Sequence, residues 1–147
     1  MLENIKYTGT VHVVHSNADG VVLLDKEYEN LVVTTGLQWI AARLGDSAPT
    51  SMNYVAVGTS STTPSAGQTA LIGELARVAV TVAGGAPSGS TIVYSANFGA
   101  GVGTGSLQEA GIFQSSSGST MLSRVTYPVI NKAAGDTVSV VWTISAQ

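Results

Sequence analysis

Thr137-Val138-Ser139-Val140-Val141-Trp142-Thr143-Ile144-Ser145 sets Val138, Val140, Trp142 and Ile144 at alternate positions, with only Val141 breaking the polar set between them. Alternate side chains of a strand share one face, so this stretch predicts a strand with one buried face and one face rich in hydroxyls. The same period recurs upstream. It runs over Ile5 to His15, Val21 to Tyr28, Met52 to Val57, Glu74 to Val82, Thr91 to Phe98, Leu107 to Phe113 and Met121 to Tyr127. Turn residues separate these runs: Asn17-Ala18-Asp19-Gly20, Gly84 to Gly89, and Ser115 to Ser119. Asp19-Gly20 is expected to form a tight hairpin turn with both residues at positive φ.

About eight strands at such spacing, with no alternation of strands and helices, predict an all-β fold. The expected form is an antiparallel two-sheet sandwich, jelly-roll-like in its wrapping. The 147 residues fit one domain spanning 1–147. One segment has a different period. Leu37, Ile40, Ala41 and Leu44 follow a helical stripe, which predicts one short helix over 35–45 packed on a sheet by that stripe. Thr34 or Thr35 is the expected N-terminal cap, and Gly45 the expected left-handed C-terminal residue.

Charge is scarce. Asp, Glu, Lys and Arg make up 10% of the chain, against about 25% for an ordinary domain. Mean hydropathy is +0.29. A surface so poor in charge is expected to be partly covered by neighbours. The net charge is −3 and the six basic residues are dispersed, so there is no footprint for nucleic acid. There are no cysteines, which excludes disulfides and thiol chemistry. No apolar run is long enough to span a membrane, and the N-terminus lacks the pattern of a secretory signal.

The residues offer little chemistry. Gly99 to Gly105 lacks the following helix that a dinucleotide loop requires, and no P-loop is present. His12 and His15, three apart on a strand, point to opposite faces and are not expected to share a metal. No serine sits in a nucleophile elbow. Asp25, Glu27 and Glu29 lie on an apparently exposed strand end with no spacing that suggests a catalytic pair. Neither an enzyme nor a cofactor is expected.

Glu74, Arg77, Glu109 and Arg124 are the informative charges, because all four lie inside strand-like segments. An isolated buried charge is expensive, so Glu109 is expected to pair with Arg77 or Arg124 and to fix strand register. Trp142 and Tyr94 belong to apolar faces and read as core. Trp39 lies off the helix stripe and is the candidate for an exposed interface aromatic.

Asn30 to Leu37, then Met52-Asn53-Tyr54-Val55-Ala56-Val57-Gly58-Thr59, Thr63-Pro64, and Gln68-Thr69-Ala70-Leu71 through Glu74 and Arg77 form a series of short blocks. Gln108 to Phe113, Met121-Leu122-Ser123-Arg124 and the closing Val-Trp-Thr strand continue it. In this order they resemble small structural proteins of tailed bacteriophages, both capsid decoration (cement) proteins and proteins labelled as tail-fibre proteins. The resemblance covers roughly residues 28–145, and none of its blocks encodes chemistry. It implies a virion protein assembled in the host bacterial cytoplasm. Its implied partners are the major capsid protein and neighbouring copies of itself, as a dimer or trimer; the alternative partner is a host surface receptor bound by a tail-fibre module. Met1 to Thr10, with Ile5 and Tyr7, is then expected to form an extended arm on a neighbouring subunit.

Overall fold

The computed structural model describes residues 5–45, 47, 49–118 and 120–147. Among them the strands are β1 (Tyr7–Ser16), β2 (Val22–Glu29), β3 (Leu31–Val32), β4 (Tyr54–Gly58), β5 (Glu74–Ala79), β6 (Ala86–Ser88), β7 (Thr91–Phe98), β8 (Gly105–Phe113), β9 (Met121–Lys132) and β10 (Thr137–Ala146). A single helix, α1 (Thr34–Leu44), sits between β3 and β4. The strands form two antiparallel sheets of five, ordered β2-β1-β10-β7-β6 and β3-β9-β8-β4-β5. The two-sheet sandwich is as the period-two pattern predicts, with ten described strands rather than about eight. Four hairpins (β1-β2, β4-β5, β6-β7, β8-β9) lie within sheets, and the chain changes sheet at β2-β3, β5-β6, β7-β8 and β9-β10.

The core lies between the sheets. Val11 and Val13 of β1, the alternating set Val138, Val140, Trp142 and Ile144 of β10, and Tyr94, Ala96 and Phe98 of β7 face Val55, Val57, Leu107, Ala110, Ile112, Leu122 and Val125 of the other sheet. The outer face of the first sheet carries hydroxyls and amides at its centre, where Thr8, Thr10, Ser95, Asn97, Ser139 and Thr143 are exposed or half-exposed, and an acidic edge of Asp25, Glu27 and Glu29 on β2.

Several local expectations are corrected. The hairpin turn between β1 and β2 has positive φ at Gly20 alone. Asn17 Oδ1 accepts from the N–H of Asp19 and of Val21, and this side-chain turn removes the need for a second left-handed residue. β9 runs on to Lys132, through Pro128. A bulge opposite Leu107 to Glu109 leaves Pro128 exposed and outside the ladder, where its missing N–H costs nothing. The glycine-rich turn after β5 contains β6, a short edge strand that pairs with β7.

The helix is the largest departure. Its cap is Val33, with no side-chain hydrogen bond. Thr35 Oγ1 donates instead to the Met121 carbonyl at 2.8 Å, and the Thr34 N–H to the Ala66 carbonyl. Gly45 is extended, at φ −97°. Of the predicted stripe only Ile40 packs against the core: Leu37 is 46% exposed, Leu44 82%, and Ala41 is exposed as well. The face turned to the sheet carries Gly36, Trp39 and Ile40. Gly36 sets this orientation, because a Cβ there would stand 2.1 Å from the Leu122 carbonyl oxygen. The helix backbone thus rests directly on β9. Replacing Gly36 with Ala must lift the helix, and overpacking of this kind costs about 1–3 kcal/mol. That outweighs the gain in helix propensity of up to about 1 kcal/mol. The expected result is a lower urea midpoint for Gly36→Ala than for the parent chain.

The expected arm is also corrected. Residues 1–4 lie outside the described residues. Tyr7 to Thr10 are part of β1, in register with Ala146 to Thr143 of β10. The N–H groups and carbonyls of Lys6 and Gln147 pair reciprocally. Only Ile5, 70% exposed, stands free of the sheet.

Candidate contact surface

The four charges singled out from the sequence come together on the outer face of the second sheet. Across it, Arg124, Gly111, Ala56 and Arg77 lie in one row, and Glu109, Gly58 and Glu74 in the next. Glu109 meets Arg124 across β8 and β9: Arg124 Nε and Nη2 donate to Glu109 Oε2 at 3.0 and 2.8 Å, and both side chains are fully buried. Arg77 is held by Glu74, with Nε to Oε1 at 2.9 Å and Nη2 to Oε2 at 2.7 Å. On an unbroken strand residues 74 and 77 would face opposite ways. A register shift at Val57/Gly58 pairs Gly58 with Glu74 and brings both residues to one face.

Each pair clamps a loop. Glu109 Oε1 accepts from the Gly73 and Ser60 N–H groups at 2.6 and 3.3 Å, and Oε2 from the Ile72 N–H at 3.1 Å. Arg124 Nη1 donates to the Thr62 carbonyl at 2.7 Å and to Gln68 Oε1 at 3.1 Å. Both ends and the middle of the long loop 59–73 are thereby fixed to the ion pair, and Leu71 packs beneath the loop with Ala56, Phe113 and Met121. Gly58 leaves the necessary space, since a Cβ there would lie 2.5 Å from Glu109 Oε1. Arg77 lies over the Phe113 ring at 3.8 Å and donates to the carbonyls of Ser115 and Gly118, which holds the turn after β8.

Two further clamps were not legible in the sequence. Lys132 Nζ donates to the Gly99 carbonyl at 2.8 Å and so holds the start of the glycine-rich connection; its burial lowers the ammonium pKa. His15, buried at the end of β1, hydrogen-bonds Asp136 Oδ2 at 2.8 Å, and the same oxygen accepts from the Ala133 N–H. These hydrogen bonds, first from His15 and then from Ala133, hold the Asp136 carboxyl below the usual carboxylate range. His12 faces the other side of β1 and pairs with Asp25 on β2. The histidines are therefore separate, each with its own aspartate. Tyr127 donates to the Glu109 carbonyl at 3.0 Å, and burial, reinforced by Glu109 and Tyr28, raises its phenol pKa.

What the clamps present is a surface of small, uncharged groups: Thr59, Ser61, Thr62, Thr63, Ser65 and Thr69 on one loop, and Ser115 to Gly118 on the other, all exposed. The remaining interface candidates lie elsewhere. Trp39 is half-buried rather than exposed; it packs against the core, and its Nε1 donates to the Thr50 carbonyl at 2.9 Å. Tyr7 is half-buried beside Ile40, Ile92 and Tyr94, in the wall of an apolar groove of about 320 Å³. Among the described residues no group of three or more His, Asp or Glu side chains is placed to hold a metal ion. No family model matches the chain, and neither a curated protein nor a solved structure matches it.

Two outcomes test the clamps. Glu109→Gln leaves Arg124 buried without its counter-charge, and breaking such a pair costs about 3–5 kcal/mol. Its urea midpoint should fall steeply, with new proteolytic cleavage inside residues 59–73, while Glu109→Gln combined with Arg124→Met should recover part of the loss. An unchanged midpoint would refute the clamp. For Asp136 the folded carboxyl is more acidic than the unfolded one, near 3.8. Its contribution is therefore complete above about pH 4 and disappears as pH falls through the folded value. Asp136→Asn should be less stable than the parent chain at pH 7, and the gap in urea midpoint should narrow towards pH 3.

Proposed function

We propose that this chain is a structural protein of a bacteriophage virion, a decoration protein that binds the outer surface of the capsid and stabilises the shell. The supporting observation is the use made of its few charges. Glu109, Arg124, Arg77 and Lys132 are turned inward to hold loops, and the surface they present is built of Ser, Thr and Gly. A preorganised loop loses little conformational entropy on binding, and an uncharged one carries little desolvation cost into a covered interface. Binding of this kind to the assembled shell, and not to its dissociated subunits, adds to shell stability by linkage. The sequence blocks that resemble small tailed-phage structural proteins, of the decoration and the tail-fibre kind alike, border this surface: Met52 to Thr59, Thr63-Pro64 and Gln68 to Leu71 around one loop, Gln108 to Phe113 and Met121 to Arg124 on either side of the other.

The alternative is a tail-fibre or receptor-binding module that recognises a host glycan or surface protein. One feature favours it, a polar groove beside Tyr7. Copy number separates the two readings. On a stained gel of purified particles a decoration protein is present in fixed ratio to the major capsid protein. Shells stripped of it should lose heat resistance and regain it when the purified chain is added back. Absence from the virion, or a copy number matching the tail, overturns the decoration reading.

A further inference from the structure

One end of the sandwich carries an apolar prominence and the other an apolar groove. At the first end, where the hairpin turn runs into β2, Val21, Val22 and Leu23 are 54, 55 and 56% exposed. A register shift opposite His15 and Ser16 leaves Leu23 without a partner on β1, so the three do not alternate between a buried and an open face. They are held in place all the same. The Asn17 N–H donates to the Val21 carbonyl at 2.9 Å, and Asn17 Oδ1 accepts from the Val21 N–H at 2.9 Å. Three consecutive large apolar side chains on a fixed turn at an open sheet edge are a patch of the kind that marks contact with another molecule.

The groove lies at the other end of β1. Val22 stands opposite Ser16, the last residue of that strand, whereas Tyr7, the first, is in the groove wall; a strand of this length spans about 30 Å. The groove, of about 320 Å³, is lined by Tyr7, Ile40, Ile92, Tyr94, Ile144 and Ala146 among others, and no charged side chain is in the lining. The charges beside the two features are opposite in sign. Lys6 precedes Tyr7 and is bound through its backbone to Gln147, and the Arg43 guanidinium lies 5.7 Å from the centre of the Trp39 ring in the groove wall. Asp19 precedes the prominence in the turn and Asp25 follows it on β2, both exposed. Lys26 projects from the other face of β2, and Glu29 stands in the polar groove across Tyr7.

We propose that the chain associates head to tail with further copies of itself, Val21 to Leu23 of one copy seated in the apolar groove beside Tyr7 of the next. Apolar side chains then meet an apolar wall with no charge to desolvate, while Asp19 and Asp25 approach Lys6 and Arg43, which steers the encounter and fixes its direction. Two copies meeting prominence to prominence would instead set these aspartates against each other. A contact between two different patches is heterologous. Each copy added keeps one free prominence and one free groove, so association runs on to a ring or an open chain and does not stop at a two-fold dimer. This goes beyond shell binding. The contact forms between copies with or without a capsid, so either reading can fail without the other.

The experiment is sedimentation velocity of the full chain at rising concentration, up to about 1 mM, where even a contact of millimolar Kd is substantially formed. The parent chain should pass from monomer to species larger than a dimer. Val22→Asp with Leu23→Asp removes the prominence, and Lys6→Glu with Ser90→Glu places acids at the groove; all four positions are exposed, so neither pair should disturb the core. Each double variant should self-associate about tenfold more weakly or less. Their mixture is the decisive arm. One variant keeps its groove and the other its prominence, so together they should form a one-to-one pair and nothing larger. Should either double variant melt well below the parent, Leu23→Ser and Ser90→Glu alone repeat the mixture. The proposal is overturned if the parent chain stays monomeric throughout or stops at a dimer. It is equally overturned if either variant associates as the parent does, or if the mixture stays monomeric.

Discussion

The buried ion pair between Glu109 and Arg124 is the constraint on which the outer face of the second sheet depends. Two opposite charges without water are tolerable only when every lone pair and donor around them finds a partner. Here the loop between β4 and β5 supplies those partners: the N–H groups of Ser60, Ile72 and Gly73 for the carboxylate, and the Thr62 carbonyl and Gln68 amide oxygen for the guanidinium. The dependence runs both ways. The pair would be an unsatisfied buried charge without the loop, and the loop would have nothing to fix it without the pair. An interconnected network of this kind holds one arrangement and disfavours partly formed ones.

The same device recurs at smaller scale. Arg77, set by Glu74 and lying over Phe113, holds the turn after β8; Lys132 holds the glycine-rich connection; His15 and Asp136 close the turn before β10. In each case a charged or titratable side chain is turned towards backbone carbonyls or N–H groups, away from water. The low charge content thus has a structural account. The two clamped loops present hydroxyls and glycines, a surface suited to being covered, whereas the exposed charges Asp25, Lys26, Glu27 and Glu29 gather on β2, away from them.

The polar groove beside Tyr7 follows a different logic. The clamps are satisfied within the chain, whereas the buried Asn30 carboxamide has no hydrogen-bond partner among the described residues. It sits where β2 leaves one sheet for the other, so the opening is a consequence of topology: a strand that changes sheet leaves its former neighbour unpaired for several residues. The opening is lined by Glu29 and Ser145 of the first sheet and by Leu31 and Val32 of the second, with Asn30 in the crossing between them.

Alternation of apolar residues was enough to reveal the two-sheet sandwich, because burial of one face of a strand is written at every second position; Val138, Val140, Trp142 and Ile144 state it openly. Scarcity of charge was equally plain, and so was the oddity of Glu74, Arg77, Glu109 and Arg124 within strands. Which carboxylate met which arginine was not legible. Register shifts decide it: the irregularity at Gly58 turns Glu74 to the face of Arg77, and the one near Gln108 admits Pro128 into β9. The helix was misread for a related reason. Its apolar stripe is local, but its orientation is set by a glycine that lets backbone meet backbone at Leu122. The unpartnered Asn30 was invisible for the same cause, since being unsatisfied is a relation to everything nearby. Periodicity along the chain determined which faces are buried; the tertiary structure alone decided what lies across from what, because partners separated by tens of residues leave no period to read.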